Sequence, residues 1–268
     1  MQQKVEGLVI SKRPYQERHL LCHLLLRSGK KISVIFLGGR GGGKNQKGSN
    51  VELGNMLSLL LVRSSGQVEL HKAKEWTVTW SPLFIRDNHE AFYLTCFIFE
   101  VVSLISVQDN LHDSNNDFDD THIGLFRLVS NALFRLNSKI ESKSFVVHEE
   151  RSLFLAKLLI ETGLYPQMSE CANCGQPLSS HKSVQLSPSH GGFSCQQCIQ
   201  LETGEREISE QGLQIWNLLK QVANEKYGDI KIQNTLNNEG ARALLNYFCF
   251  QCQVDLKNIK TLTMMNHQ

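Results

Sequence analysis

No stretch of this sequence is both long enough and apolar enough to cross a bilayer. The longest apolar run, residues 93–107, is interrupted by Glu100 and falls short of the ~20 residues that a spanning helix needs; it reads as a buried helix. Residues 1–30 also lack the apolar core of a signal peptide, because Lys4, Lys12, Arg13 and Arg18 break up their short apolar runs. A cytoplasmic chain with reduced thiols and no membrane partner is therefore expected. Catalytic signatures are missing too. Ser, His and Asp occur without a nucleophile elbow, so no covalent chemistry is expected and the chain does not read as an enzyme. The Gly-rich run Gly38-Gly39-Arg40-Gly41-Gly42-Gly43-Lys44-Asn45 comes close to a phosphate-cradling ATPase loop, yet Asn45 lacks the hydroxyl that would hold magnesium. The residues after it carry no apolar helical face, and no apolar strand ending in Asp answers to a second nucleotide motif.

Net charge is nearly absent as well, +2 over 268 residues, but its distribution is uneven. Residues 1–75 carry thirteen Lys and Arg against five Glu, a balance of +8, which leaves −6 for the remainder. A basic module joined to an acidic one points to a polyanion partner for the first, most simply nucleic acid. In the same region the chain reads as short strands at 5–11, 20–26, 31–37, 57–63 and 68–78, separated by Gly and polar turns. Five such strands suggest a small barrel of the oligonucleotide-binding type, whose groove tracks phosphates. The basic residues Lys12-Arg13, Lys30-Lys31, Arg40, Lys44 and Lys47 are expected in its loops, and these with Arg18 are expected to contact DNA, with the glycines of 38–43 letting main chain approach the phosphates.

Four cysteines carry the most specific signal. Cys171-Ala-Asn-Cys174 and Cys195-Gln-Gln-Cys198 form two C-x2-C pairs twenty residues apart, the spacing of a tetrahedral structural zinc site. Gly175 and Gly191-Gly192 supply the conformational freedom that tight knuckles need. A disulfide pair would require an oxidising compartment, and an iron–sulfur cluster would be expected beside other redox features that the sequence lacks. One structural Zn2+ is the expected cofactor, with four thiolates leaving no open position for a catalytic water. Cys22 and Cys96 lie in apolar stretches as small hydrophobes. A third pair, Cys249-Phe-Gln-Cys252, falls in a helical apolar pattern without a knuckle glycine and is assigned to core packing.

From Asn88 onward the periodicity turns helical, with Phe92, Cys96, Phe99, Val102 and Ser103 on one expected face and Ile123 to Leu136 continuing the pattern beyond a polar loop at 108–120. Further helices are expected at about 148–162, from about 209, and at about 239–255. Two other function classes fit parts of this pattern. One is a zinc-containing regulator selective for one duplex sequence. The other is a metal-dependent nuclease using His112, Asp113, Asp117, Asp119, Asp120 and His122, although these occupy the polar loop, where no helix or strand would fix them.

Several segments, in order, resemble a known family. Gly7-Leu-Val-Ile-Ser-Lys-Arg-Pro-Tyr-Gln-Glu-Arg-His-Leu-Leu, the run from Lys31 to Arg40, Phe154-Leu-Ala-Lys-Leu-Leu-Ile-Glu-Thr-Gly163-Leu-Tyr-Pro166 leading into Cys171, and Gly191-Gly-Phe-Ser-Cys195-Gln-Gln-Cys198 are similar to the bacterial recombination mediator RecO family. The resemblance implies an α+β multidomain protein: an OB-fold barrel at 1–80, a helical domain in two parts at 81–168 and 203–268, and a four-cysteine zinc module at 169–202. It implies binding of single- and double-stranded DNA, annealing of complementary strands, and assistance to RecR in loading RecA onto strands coated with single-stranded-DNA-binding protein (SSB). A nucleoid-associated cytoplasmic location goes with that role. The acidic C-terminal tail of SSB is expected in the helical domain, at Arg151, Phe154 and Lys157. The sequence departs from the family at Gly39-Arg40-Gly41, where two adjacent arginines are usual, and at Leu256-Lys257-Asn258, where the family tends to have Leu-Lys-Ser.

Overall fold

The computed structural model describes residues 2–39, 50–63, 70–109, 123–178, 183–203, 210–232 and 236–262. The chain divides into two compact units, one made of Met1–Glu141 with Thr261–Gln268 and the other of Ser142–Lys260.

Unit 1 is built on five strands, β1 (Gln2–Tyr15), β2 (His19–Leu26), β3 (Lys31–Phe36), β4 (Met56–Arg63) and β5 (Leu70–Trp80). They close into a barrel in the order β1-β2-β3-β5-β4, with β3 and β5 parallel and the other pairs antiparallel. This is the five-stranded oligonucleotide-binding arrangement. Alternation along the strands sends Leu20, Cys22, Leu24 and Leu26 of β2 and Ile32, Val34 and Phe36 of β3 into the barrel. Phe36 is fully buried and meets the edge of Trp76 at a ring separation of 5.0 Å. Burial pushes the Cys22 thiol up to about 12, so it acts as the small hydrophobe its neighbours require.

Unit 1 also contains the helices α1 (Leu83–Arg86), α2 (His89–Ile105) and α3 (Ile123–Glu141). The Asn88 side chain caps α2 by accepting from the Ala91 N–H at 3.0 Å. Its buried face differs from the expected one. Ala91, Leu94, Thr95, Phe97, Ile98, Phe99, Val101 and Val102 are buried, so of the expected face Phe99 and Val102 are buried while Phe92 is exposed. The helix is apolar around most of its circumference, so spacing alone could not select the stripe. Beyond its end, the segment 106–109 is sewn to β3: Lys31 N–H donates to the Val107 carbonyl and Asp109 N–H to the Lys31 carbonyl, both at 2.8 Å. Thr261 returns to this unit, where its N–H and hydroxyl donate to Glu100 Oε2 at 2.9 and 2.7 Å.

Unit 2 contains α4 (Val147–Glu161), a hairpin of β6 (Val184–Ser187) and β7 (Gly192–Cys195), then α5 (Gln196–Thr203), α6 (Gln211–Asn224) and α7 (Asn238–Gln251). The α4 helix is buried continuously from Glu150 to Leu159 and packs on α6 and α7. Gly163, left-handed at φ 70°, ends it, with Leu164 N–H reaching back to the Leu159 carbonyl. The α7 helix stops four residues earlier than its pattern suggested. Gln253 takes the left-handed position at φ 55° and Val254 N–H bonds the Cys249 carbonyl, the same stop signal made without a glycine. Cys249 is buried on this helix, in the core role expected of it.

Candidate nucleic-acid interface and metal centre

The outer side of β1, β2 and β3 carries Arg13, which is exposed, and Lys31, which is half-buried; Lys72 and Lys74 of β5 are exposed as well. Strand register puts Ser11 opposite His23 and His23 opposite Ser33. The next row is Arg13, Leu21 and Ile35, and Tyr15 faces His19 beyond it. Arg13 and Arg18 are exposed, and neither has a hydrogen-bond or ion-pair partner among the described residues. Leu21 and Ile35 are buried beside them. His23 Nδ1 lies 3.1 Å from Ser33 Oγ. Partial burial, then the charges of Arg13 and Lys31, hold the His23 ring below its usual proton affinity. Strand register sets the two cations on either side of this imidazole, Arg13 on β1 and Lys31 on β3.

Lys12 and Arg13 are not loop residues: β1 runs through both to Tyr15. Because successive side chains of a strand point to opposite faces, the pair splits. Lys12 stands opposite the inward-facing Cys22 and pairs with Glu52 at 2.6 Å, while Arg13 faces out. Lys30 lies 4.0 Å from Asp109, and Lys31 Nζ donates to the Ser103 carbonyl at 2.5 Å. Arg18 occupies the β1–β2 turn. Arg40, Lys44, Lys47 and the acidic residues from His112 to His122 lie outside the described residues. Ser11, His23 and Ser33 were not singled out from the sequence. The signal was present in β2, where His19 and His23 share the parity of Leu21 and oppose that of Cys22.

The four cysteines of the two C-x2-C pairs meet in unit 2, with their Sγ atoms all within 4.8 Å of one another. Cys171 and Cys198 are 3.9 Å apart and Cys174 and Cys195 3.8 Å. A tetrahedron with metal–sulfur bonds of about 2.3 Å has edges of about 3.8 Å, so the donor set fits one ion. The first knuckle is closed by Gly175 N–H on the Cys171 carbonyl at 2.9 Å, with Gly175 at φ 74°. The second pair is placed differently: Cys195 ends β7 and Cys198 lies in the first turn of α5. Burial pushes the Cys171 thiol up, but the backbone N–H groups of Cys174, Cys195 and Asn173 outweigh it and bring the group down to about 6. Three of the four ligands are buried and Cys174 is exposed.

This cluster is fastened to the helices around it. Tyr247 Oη donates to the Gly191 carbonyl at 3.0 Å, Gln251 Nε2 to the Pro188 carbonyl at 2.7 Å, and Trp216 Nε1 to the Met168 carbonyl at 3.3 Å. Gly212 lets α6 lie directly on β6, since a Cβ there would stand 1.7 Å from the Val184 carbonyl oxygen. On α4, Phe154 is fully buried. Lys157 Nζ donates to the carbonyls of Val222 and Glu225 at the C-terminus of α6, both at 2.5 Å, where the helix dipole favours a cation. Arg151 is 8% exposed and donates to Asn238 Oδ1 at 2.7 Å. As placed, these three side chains join α4 to its neighbours.

An oligonucleotide-binding-type barrel and a helical unit carrying a four-cysteine cluster that could hold a metal ion define a modular protein of the nucleic-acid-handling class. Residues 116–259 match the family described as Recombination protein O C terminal. The DNA repair protein RecO of Bacillus pumilus (strain SAFR-032) is 22% identical over 263 residues, covering 98% of this chain and 94% of that protein. That of Alkaliphilus metalliredigens (strain QYMF) is 21% identical over 245 residues, covering 91% of each. The DNA repair protein RecO of Prosthecochloris aestuarii is 22% identical over 65% of this chain and 60% of its own length. The chain belongs to the recombination protein O family, and its role lies in DNA repair and recombination. No helix among the described residues is long and apolar enough to cross a membrane.

Proposed function

We propose that this chain is a non-catalytic recombination mediator. It binds single- and double-stranded DNA through the outer face of its barrel, anneals complementary strands, and assists RecR in loading RecA onto DNA coated with SSB. The observation that carries the reading is the placement of Arg13 and Lys31 on the outer face of β1–β3 by strand register, the side by which such barrels hold oligonucleotides. Cations on that face offset the repulsion between two phosphate backbones, so that complementary strands can meet. Arg18 and Lys30 add to that charge, and Arg40, Lys44 and Lys47, outside the described residues, belong to the same proposed DNA-binding set. The ion of the cysteine cluster is a single Zn2+, and its all-thiolate shell assigns it to folding rather than to hydrolysis.

The test is the annealing rate of two complementary labelled oligonucleotides precoated with the cognate SSB, with and without this chain and without ATP. Acceleration is expected. Failure to accelerate, in protein that retains its metal and still binds DNA, would remove the mediator reading and leave a DNA-binding protein without annealing activity.

A further inference from the structure

The outer face of the barrel holds an uncharged row, Ser11, His23 and Ser33, running across three adjacent strands between two cations. Arg13 lies on one side of this row, exposed, and Lys31 on the other. An ammonium has three N–H donors, and Lys31 directs one to the Ser103 carbonyl. His23 is the one titratable side chain within the row. Arg13 and Ser11 of β1 and Lys31 and Ser33 of β3 are the charged and polar groups that face it from the strands on either side.

We propose that this row is a phosphate seat of the DNA-binding face, in which His23 takes up a proton when a nucleic-acid phosphate settles between Arg13 and Lys31. The inference rests on the barrel-face reading above and adds a named contact and a linked proton to it. In the free protein the two cations and partial burial disfavour a third positive charge at His23. A phosphate between them reverses the local sign of the field and favours imidazolium, which gives a charge-assisted hydrogen bond to the phosphate oxygen. Ser33 bonds one ring nitrogen and leaves the other for the ligand. Proton uptake on binding requires affinity to rise as pH falls.

The measurement is fluorescence anisotropy of a labelled oligothymidylate with the full-length, metal-loaded protein at fixed ionic strength. The ratio of wild-type to His23→Gln affinity is expected to grow about tenfold between about pH 8 and about pH 6. A constant ratio over that range overturns the proposal. Independently of any variant, the titration midpoint of the His23 imidazole proton resonance should move up when the oligonucleotide is added, and an unmoved midpoint overturns it as well. Arg13→Glu separates the two layers of the argument. If it leaves binding intact at every pH, the barrel face itself is wrong. If it weakens binding while the His23→Gln ratio stays constant, only the role of His23 is lost.

Discussion

The barrel and the cysteine hairpin solve the same problem of small size in opposite ways. Inside the barrel, side chains from all five strands share one apolar interior, from Val9 through Phe36 to Leu61 and Ala73, so stability is spread over many contacts. The hairpin β6–β7 has four residues in each strand, too few for a core of its own. It depends on the cysteine cluster at its end and on hydrogen bonds from Tyr247 and Gln251 to its turn. The barrel is therefore expected to degrade gradually under mutation, the hairpin to fail at a few named points.

The sharpest way to break the comparison is to remove the metal. Structural zinc contributes of the order of 10 kcal/mol in small modules, so Cys195→Ser, or a strong chelator, is expected to make residues 167–203 sensitive to protease while the barrel melts as before. Elemental analysis should give one metal per chain in the wild type and none in the variant. Within the barrel, Phe36→Ala should cost about 3–5 kcal/mol by denaturant unfolding, yet leave metal content unchanged. Gly212→Ala carries the contrast into unit 2: with a methyl aimed at the Val184 carbonyl, α6 and β6 must separate, at about 3 kcal/mol. Smaller again is the functional split of a neighbouring pair. Arg13→Glu should weaken binding of single-stranded DNA about tenfold and lower the salt slope by about one. Lys12→Gln, whose cation is turned toward Glu52, should weaken it far less. Last, because His23 binds its proton less readily folded than unfolded, the unfolded chain holds more protons below about pH 6.5. Its contribution to stability is thus fully present above that pH and declines as pH falls, as thermal melts of wild type and His23→Gln would register.

Much of this architecture was legible because the relevant signals are local. The five strands follow from alternation and turn residues, and each was placed within a few residues of its observed position. The metal centre followed from spacing, since two C-x2-C pairs bring four sulfurs together almost regardless of what lies between. What lay between was not legible: the β6–β7 hairpin and α5 are too short to show periodicity. The basic face was only half legible. Charge counting found its cations, but Lys12 and Arg13 stay together in sequence and part in the fold, and only the register of β1 on β2 shows which one faces out. His23, which register sets between Arg13 and Lys31, was invisible to charge counting, which takes histidine as neutral. On α2 and α7 the misjudged face and end came from a helix apolar nearly all round and from a stop made by Gln253 rather than glycine.

The two hydrogen bonds from Thr261 to Glu100 bear on how the molecule is made. Domains fold as they emerge from the ribosome, N-terminal first, and the strands of the barrel lie wholly in the first 80 residues. Its unit nevertheless receives these two donors only after all of residues 142–260 has been synthesised. A nascent chain stalled anywhere in unit 2 would thus carry a formed barrel whose α2 still lacks these two donors. Their arrival is a late event in biogenesis, coupled to translation of the whole of unit 2.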